Sequence, residues 1–326
     1  MEFPAAFFQE ETRCDFLISS MMKRAWAAEL EVLQVVAELC ERNGLQYFAD
    51  WGTLLGAVRH QGFIPWDDDI DISLKREDYT EFIRLLSEEL PKGFVMSGMY
   101  AASERLQQAA HSQCIRVIAD EELWDFNDYM KRFHGFPYQR IGIDIFPIDY
   151  MPKDRELVEV QKDIVLYGMT ILQYWDELYQ SGELGARLCG MEELCQVTIP
   201  RGAGTEVFLR RLIDSVAALY GASEAEELTV YSLFVTRPDY RLKKEWYQEA
   251  VKMPFEHTEI AVPCGYHEVL TAEFGDYMVP DQGNRGHGYP FYGSMEAELE
   301  KQIRAVGFQG TVEEFCQKVS SGDLRV

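Results

Sequence analysis

Four aspartates, Asp67, Asp68, Asp69 and Asp71, crowd into the segment WDDDIDISL. Asp67, Asp69 and Asp71 share one parity, and Ile70 and Ile72 share the other. A strand here sends the isoleucines into a core and projects Asp69 and Asp71 together into one site. Two carboxylates held that close repel each other unless a cation lies between them. An oxygen-only donor set suits a hard ion such as Mg²⁺, with Mn²⁺ as the alternative. Asp67 is either a further ligand or, like Asp68, a support for the metal from outside. A solvated acidic turn is the plain alternative, but the flanks WGTLLGAVR and GFIPW are too apolar for a simple surface loop.

Other residues fit the same chemistry. Gly52 and Thr53 open a short helical pattern whose first backbone N–H groups are free to take an anion. In RIGIDIFPIDYMP, Ile141, Ile143 and Ile145 alternate with Gly142, Asp144 and Phe146, so Asp144 points away from the isoleucine face. A Gly-Thr helix start, an Asp-x-Asp strand and a third Asp on a later strand form a phosphate cradle beside a metal site, as in-line displacement at a phosphoanhydride requires. Arg59 is either a partner for donor phosphate or a counter-ion for the Asp cluster. Arg285 and His287, set between glycines, suit a lid that contacts phosphate. Asp149 lies past a proline and reads as support, and His60 reads as a surface residue. PRGAGT lacks the lysine of a phosphate-binding loop. The aromatic run from Trp124 to Tyr138 reads first as core packing and second as a cation–π surface.

These residues need elements to position them. The spacing of Met22, Trp26, Leu30, Leu33, Ala37 and Cys40 predicts a helix over 16–43 that stops at Gly44. A strand over 45–49, a helix to Arg59 and the acidic strand over 68–74 follow. Tyr79, Phe82, Ile83, Leu86 and Leu90 mark an amphipathic helix. Strands at 94–97 and 114–118 precede loop-like residues 120–138. Beyond Pro152 the pattern turns helical, with a long helix over 154–180 and others at 206–220 and 266–274. A strand is expected at 259–262. The seam at Met151–Lys153 divides the chain into a catalytic core with an N-terminal helix (1–151) and a helical substrate- or acceptor-binding region (152–326).

Bulk properties narrow the function. At 326 residues the chain can bury a large core, and its formal net charge of −24 argues against nucleic acid as a partner. That charge also opposes docking on an anionic membrane, although peripheral association stays open. The 7 cysteines form no CxxC pair, as expected for reduced thiols in a cytoplasmic protein. MEFPAAFFQEETR carries acids where a signal peptide needs bases, and no window has the length of a membrane span.

The block GTLLGAVRHQGFIPWDDDIDI closely resembles the central motif of the LicD family of phosphotransferases, within the nucleotidyltransferase-fold superfamily. The likeness runs through Trp51–Ile72 and recurs in GIDIFPID and in YHEVLTAEFGDYMVP…RGH. It implies an α+β fold with a mixed sheet flanked by helices, and a largely helical C-terminal half. It implies transfer of phosphocholine from CDP-choline to a hydroxyl of a cell-surface glycan such as teichoic acid or lipopolysaccharide, or a precursor of one, with CMP leaving. By the same resemblance Asp69, Asp71 and Asp144 form the catalytic metal site, and Gly52 and Thr53 touch phosphate, with Thr where the superfamily more often has Ser. Phe274 stands where relatives commonly have Tyr and is read as packing. Three alternatives remain: transfer of ribitol, glycerol or ethanolamine phosphate; a nucleotidyltransferase that makes the nucleotide-linked donor; and a non-catalytic metal- or nucleotide-binding protein.

Overall fold

The computed structural model describes residues 1–108, 113–138, 141–282 and 289–326. A short hairpin of β1 (Glu11–Arg13) and β2 (Phe16–Ile18) precedes α1 (Ser20–Asn43). The expected helix therefore begins four residues late, where the Ser19 hydroxyl caps it by accepting the Met22 N–H. It ends as its sequence predicts, with Gly44 in the left-handed conformation (φ 68°). α1 is buried over most of its circumference rather than along one stripe, because the N-terminal hairpin and later segments wrap its outer side.

Next come β3 (Tyr47–Ala49), α2 (Trp51–His60), β4 (Asp71–Lys75), α3 (Arg76–Glu89), β5 (Phe94–Gly98), α4 (Glu104–Gln108) and β6 (Ile115–Ala119). α5 (Phe126–Arg132) precedes the long strand β7 (Gly142–Pro152). The expected acidic strand starts only at Asp71. A turn closed by the Asp67 N–H on the Ile64 carbonyl (2.9 Å) leaves residues 67–70 as an irregular approach. The alternation still holds, since Ile70 and Ile72 are fully buried. The sheet order β3-β4-β7-β6-β5 is mixed: β4 and β7 are parallel, whereas β3–β4, β5–β6 and β6–β7 are antiparallel. The molecule is thus an α+β protein with a mixed sheet flanked by helices.

After β7 the chain forms α6 (Arg155–Gln173), α7 (Trp175–Ser181), α8 (Leu184–Cys195) and α9 (Thr205–Ala217), which enclose a second apolar cluster. The expected long helix is split at Tyr174, the residue that ends α6 and starts α7. β8 (Ala225–Thr229) returns to pair with the far end of β7, then α10 (Tyr231–Phe234) and β9 (Leu242–Lys243) follow. A hairpin of β10 (Ala250–Phe255) and β11 (Thr258–Pro263), α11 (Tyr266–Phe274), α12 (Glu296–Ala305) and α13 (Val312–Ser321) complete the fold. Among the described residues, no helix is long and apolar enough to cross a membrane.

The sheet and the helical layer are fastened by a buried charged cluster. Arg76, at the start of α3, donates to Asp149 on β7 (2.6 Å) and through both terminal nitrogens to Asp214 on α9 (3.0 Å each). Tyr100 donates to Asp214 as well (2.6 Å). Asp149 is therefore a structural anchor. Removing one member strands the other charges in a low-dielectric interior. Arg76→Met is expected to cost about 3–5 kcal/mol, read as a lower urea midpoint in equilibrium unfolding.

Candidate active site

The parallel register of β4 and β7 sets Asp71 beside Asp144 as direct partners. The Asp144 N–H also bonds the Ile70 carbonyl (3.0 Å), which carries the alignment one residue past the strand. Asp67 and Asp69 stand in the loop just before β4, held by α1: the Trp26 indole donates to the Asp67 carbonyl (3.1 Å). Asp68 points the other way. It is fully buried and accepts the Phe291 N–H (2.6 Å), so it anchors the C-terminal region.

Gly52 and Thr53 lie in the first turn of α2. Asp50 caps that helix by accepting the Trp51 N–H (3.0 Å), and the first intrahelical bond runs from the Leu54 N–H to the Asp50 carbonyl (3.0 Å). The amides of Gly52 and Thr53 precede that bond and so form the anion-attracting end of the helix. The Thr53 hydroxyl is already engaged, accepting the Asp71 N–H (2.9 Å), and so ties the helix start to the carboxylate strand. Trp51 adopts φ 40°, unusual for a bulky residue, where the chain turns sharply from β3 into α2. Gly52 lets Asp67 approach closely: a Cβ there would lie 2.4 Å from Asp67 Oδ2, so that carboxylate would have to shift.

Electrostatically the site is crowded. The Asp71 carboxyl is pushed well above the usual carboxylate range, first by removal from water and then by the charges of Asp69, Asp144 and Asp67. Glu29 on α1 is pushed up in the same way, by burial and then by Asp69 and Asp68. Arg116 on β6 faces Asp144 across the antiparallel pair and donates to its carboxylate. Pattern reading passed over both Arg116 and Glu29, although each carried a signal. Arg116 is a lone cation inside the apolar strand IRVIA, and Glu29 follows Trp26 by three positions on the buried stripe of α1.

As they stand, no group of three or more His, Cys, Asp or Glu side chains among the described residues is arranged to hold a metal ion. The donor chemistry is nonetheless that of a hard-cation site. The carboxylates are oxygen donors whose mutual repulsion raises Asp71, and Asp144 has a cation, Arg116, as its present partner.

Asp67, Asp69 and Asp71 open into a cleft of about 490 Å³, together with Gly52 and Arg59. The opposite wall comes from α11 and the segment after it, through Glu273, Phe274, Asp276 and Tyr277, with Tyr289 at the rim. Phe274 both lines this cleft and packs on the core. Arg59 donates to the Tyr277 carbonyl (2.7 Å) and to His60 (2.9 Å), so it pins the far wall. Burial and then Arg59 lower the His60 pKa to about 4, which keeps that ring neutral. Arg285 and His287, the expected lid residues, lie outside the described residues. In the run from Trp124 to Tyr138, Tyr129, Phe133, Phe136 and Tyr138 are buried and Trp124 packs against Phe94, so the run is core, the first of its two readings.

The site is built on a mixed sheet that carries a capped Gly-Thr helix start and carboxylates on two adjacent parallel strands. Residues 44–161 match the family described as LicD/FKTN/FKRP, nucleotidyltransferase domain. The chain is 25% identical over 267 residues to the lipopolysaccharide cholinephosphotransferase LicD of Haemophilus influenzae, covering 79% of this chain and 92% of that protein. It is 38% identical over 176 residues to an uncharacterised protein of Rickettsia typhi, covering 51% of this chain and 52% of that one. It is also 31% identical over 101 residues to the human ribitol 5-phosphate transferase FKRP, covering 29% of this chain and 20% of that protein. Residues 44–161 thus match the LicD-type domain, and over most of its length the chain is similar to a LicD-type phosphotransferase.

Two expectations follow. Gly52→Ala pushes the Asp67 carboxylate aside, so kcat/KM should fall roughly 10²-fold with little change in melting temperature. Asp50, buried beneath the helix start, has its pKa raised by burial to about 7. The folded chain therefore binds this proton more tightly than the unfolded one. That stabilisation is complete below about pH 4 and is lost as pH rises through about 7. Asp50→Asn should flatten the fall in melting temperature between these limits, measured beside the parent protein.

Proposed function

We propose that the protein transfers phosphocholine from CDP-choline to a hydroxyl of a glycan or glycan precursor, releases CMP, and acts in the cytoplasm. Asp69, Asp71 and Asp144, with Asp67 beside them, would hold a divalent ion of the Mg²⁺ or Mn²⁺ type. Such an ion, when bound, offsets the charge of the diphosphate and polarises the reacting phosphorus. The backbone amides of Gly52 and Thr53 would take phosphate oxygens at the α2 start. The acceptor oxygen bonds to the distal phosphorus as the anhydride bond to CMP breaks, and its proton passes to Asp144. Helices after residue 152 would offer the acceptor surface.

The observation that carries the choice of choline is the lining of the cleft. Its wall opposite the aspartates combines Glu273 and Asp276 with Phe274, while Trp51 and Tyr289 add half-buried aromatic surface. The basic residue among the described lining residues, Arg59, has its guanidinium bonded to the Tyr277 carbonyl. Aromatic faces beside carboxylates suit a quaternary ammonium, which both attract electrostatically.

The test follows CMP release from CDP-choline, CDP-ethanolamine, CDP-ribitol and CDP-glycerol with Mg²⁺ and a glycan acceptor. CDP-choline should react fastest, and Asp71→Asn should lower its rate roughly 10³-fold. Preference for CDP-ribitol would redirect the reading to polyol phosphates. Pyrophosphate release from CTP would mean that the enzyme makes the donor. No CMP from any donor, together with unchanged Mg²⁺ binding in Asp71→Asn, would mean a non-catalytic protein.

A further inference from the structure

The two walls of the cleft are joined behind it by one short segment. Arg237 and Tyr240 lie between α10 and β9, and neither is among the described lining residues. On one side the Tyr240 hydroxyl accepts the indole N–H of Trp51 (3.0 Å). On the other, Arg237 Nη1 donates to Glu273 Oε1 (2.7 Å). The Arg237 guanidinium also lies over the Tyr240 ring, 5.1 Å from its centroid, so the two ties meet. Trp51 begins α2 on the aspartate side of the cleft, and Glu273 belongs to α11 on the opposite wall.

The segment is itself held. The Tyr240 N–H closes a turn on the Arg237 carbonyl (2.8 Å), and the Tyr240 carbonyl accepts the hydroxyl of Thr229 (2.7 Å), a fully buried residue of β8. Thr229 is the register partner of Asp149, so the segment hangs from the anchored end of β7. Trp51 is gripped from a second direction by Phe146, whose ring meets it edge-on at 4.6 Å. With its N–H bonded and its ring wedged, Trp51 keeps one orientation.

We propose that Arg237 and Tyr240 form a strut that fixes the spacing between Trp51 and Glu273 and thereby selects donors by the bulk of the headgroup. The inference rests on the CDP-choline reading above and adds two positioning residues to it. A trimethylammonium and a primary ammonium carry the same charge but differ in size. A gap of fixed width therefore separates them where charge alone does not.

The experiment is calorimetry on the full chain with Mg²⁺, comparing the Kd of CDP-choline with that of CDP-ethanolamine. The parent protein should bind CDP-choline more tightly. Tyr240→Phe and Arg237→Gln should each shrink that preference roughly tenfold, chiefly by weakening CDP-choline. The double variant should lose no more than the worse single one, because one break already frees the strut. Circular dichroism checks folding. Tyr240→Phe removes one oxygen atom and Arg237 is 41% exposed, so either variant serves if the other does not fold. An unchanged preference, equal weakening for both donors, additive losses in the double variant, or equal affinity of the parent for both donors overturns the strut and leaves the donor reading standing. No binding of CDP-choline by the parent protein overturns the donor reading and the strut with it.

Discussion

Asp71 and Asp144 lie side by side on parallel strands, with Asp67 and Asp69 in the approach to the first of them. So much negative charge in so little space has to be contained by the protein itself. Several elements share that task. β6 supplies Arg116, α2 supplies the Thr53 hydroxyl that holds the Asp71 backbone, and α1 supplies Trp26 to steady the acidic loop. Asp68, turned inward, uses its charge to bind the Phe291 N–H and so brings the C-terminal region against the loop. The sheet order places these contributors around one strand end. A different register between β4 and β7 would separate the two carboxylates, and one between β6 and β7 would part Arg116 from Asp144.

The second half of the chain closes the cleft and is joined to the first at two kinds of contact. Deep in the structure, Arg76, Asp149 and Asp214 tie the sheet to α9 by charge-assisted bonds shielded from water. At the cleft itself the ties are lighter: Arg59 to the Tyr277 carbonyl, and the Trp51 indole to the Tyr240 hydroxyl (3.0 Å).

Much of the site was legible because it depends on local rules. Strand parity put Ile70 and Ile72 in the core, and the same alternation put Asp144 on the face away from Ile143 and Ile145. The Gly-Thr helix start and the Gly44 stop follow from backbone conformation alone. What escaped depends on partners distant in sequence. Asp68 reads as a support for the metal from outside, and only the fold shows that it accepts the Phe291 N–H. Strand β2 lay inside the stretch expected to be helical, because Phe16 and Ile18 serve either period. β10, AVKMPF, includes a proline and pairs on its own with β11, so its alternation is weak. Arg116 and Glu29 were visible as charges out of place, but their meaning came only with the fold, which brings β6 and α1 to the same carboxylates.

The overall charge bears on how the proposed reaction begins. With 55 acidic residues against 31 basic ones, the chain repels a free diphosphate rather than steering it. The cleft repeats that bias, since among the described residues its lining holds six acidic residues and one basic residue. A nucleotide-linked donor would therefore approach most readily with its charge already offset by a divalent ion. The alcohol it carries also matters: choline brings a fixed positive charge, whereas ribitol brings none. In an acidic, aromatic cleft that difference would favour the cationic donor before any contact is made, and Phe274 and Asp276 would then face the headgroup once it arrives. Selection would thus rest on charge at long range and on the cleft wall at short range, with both supplied by residues outside the segment that performs the transfer.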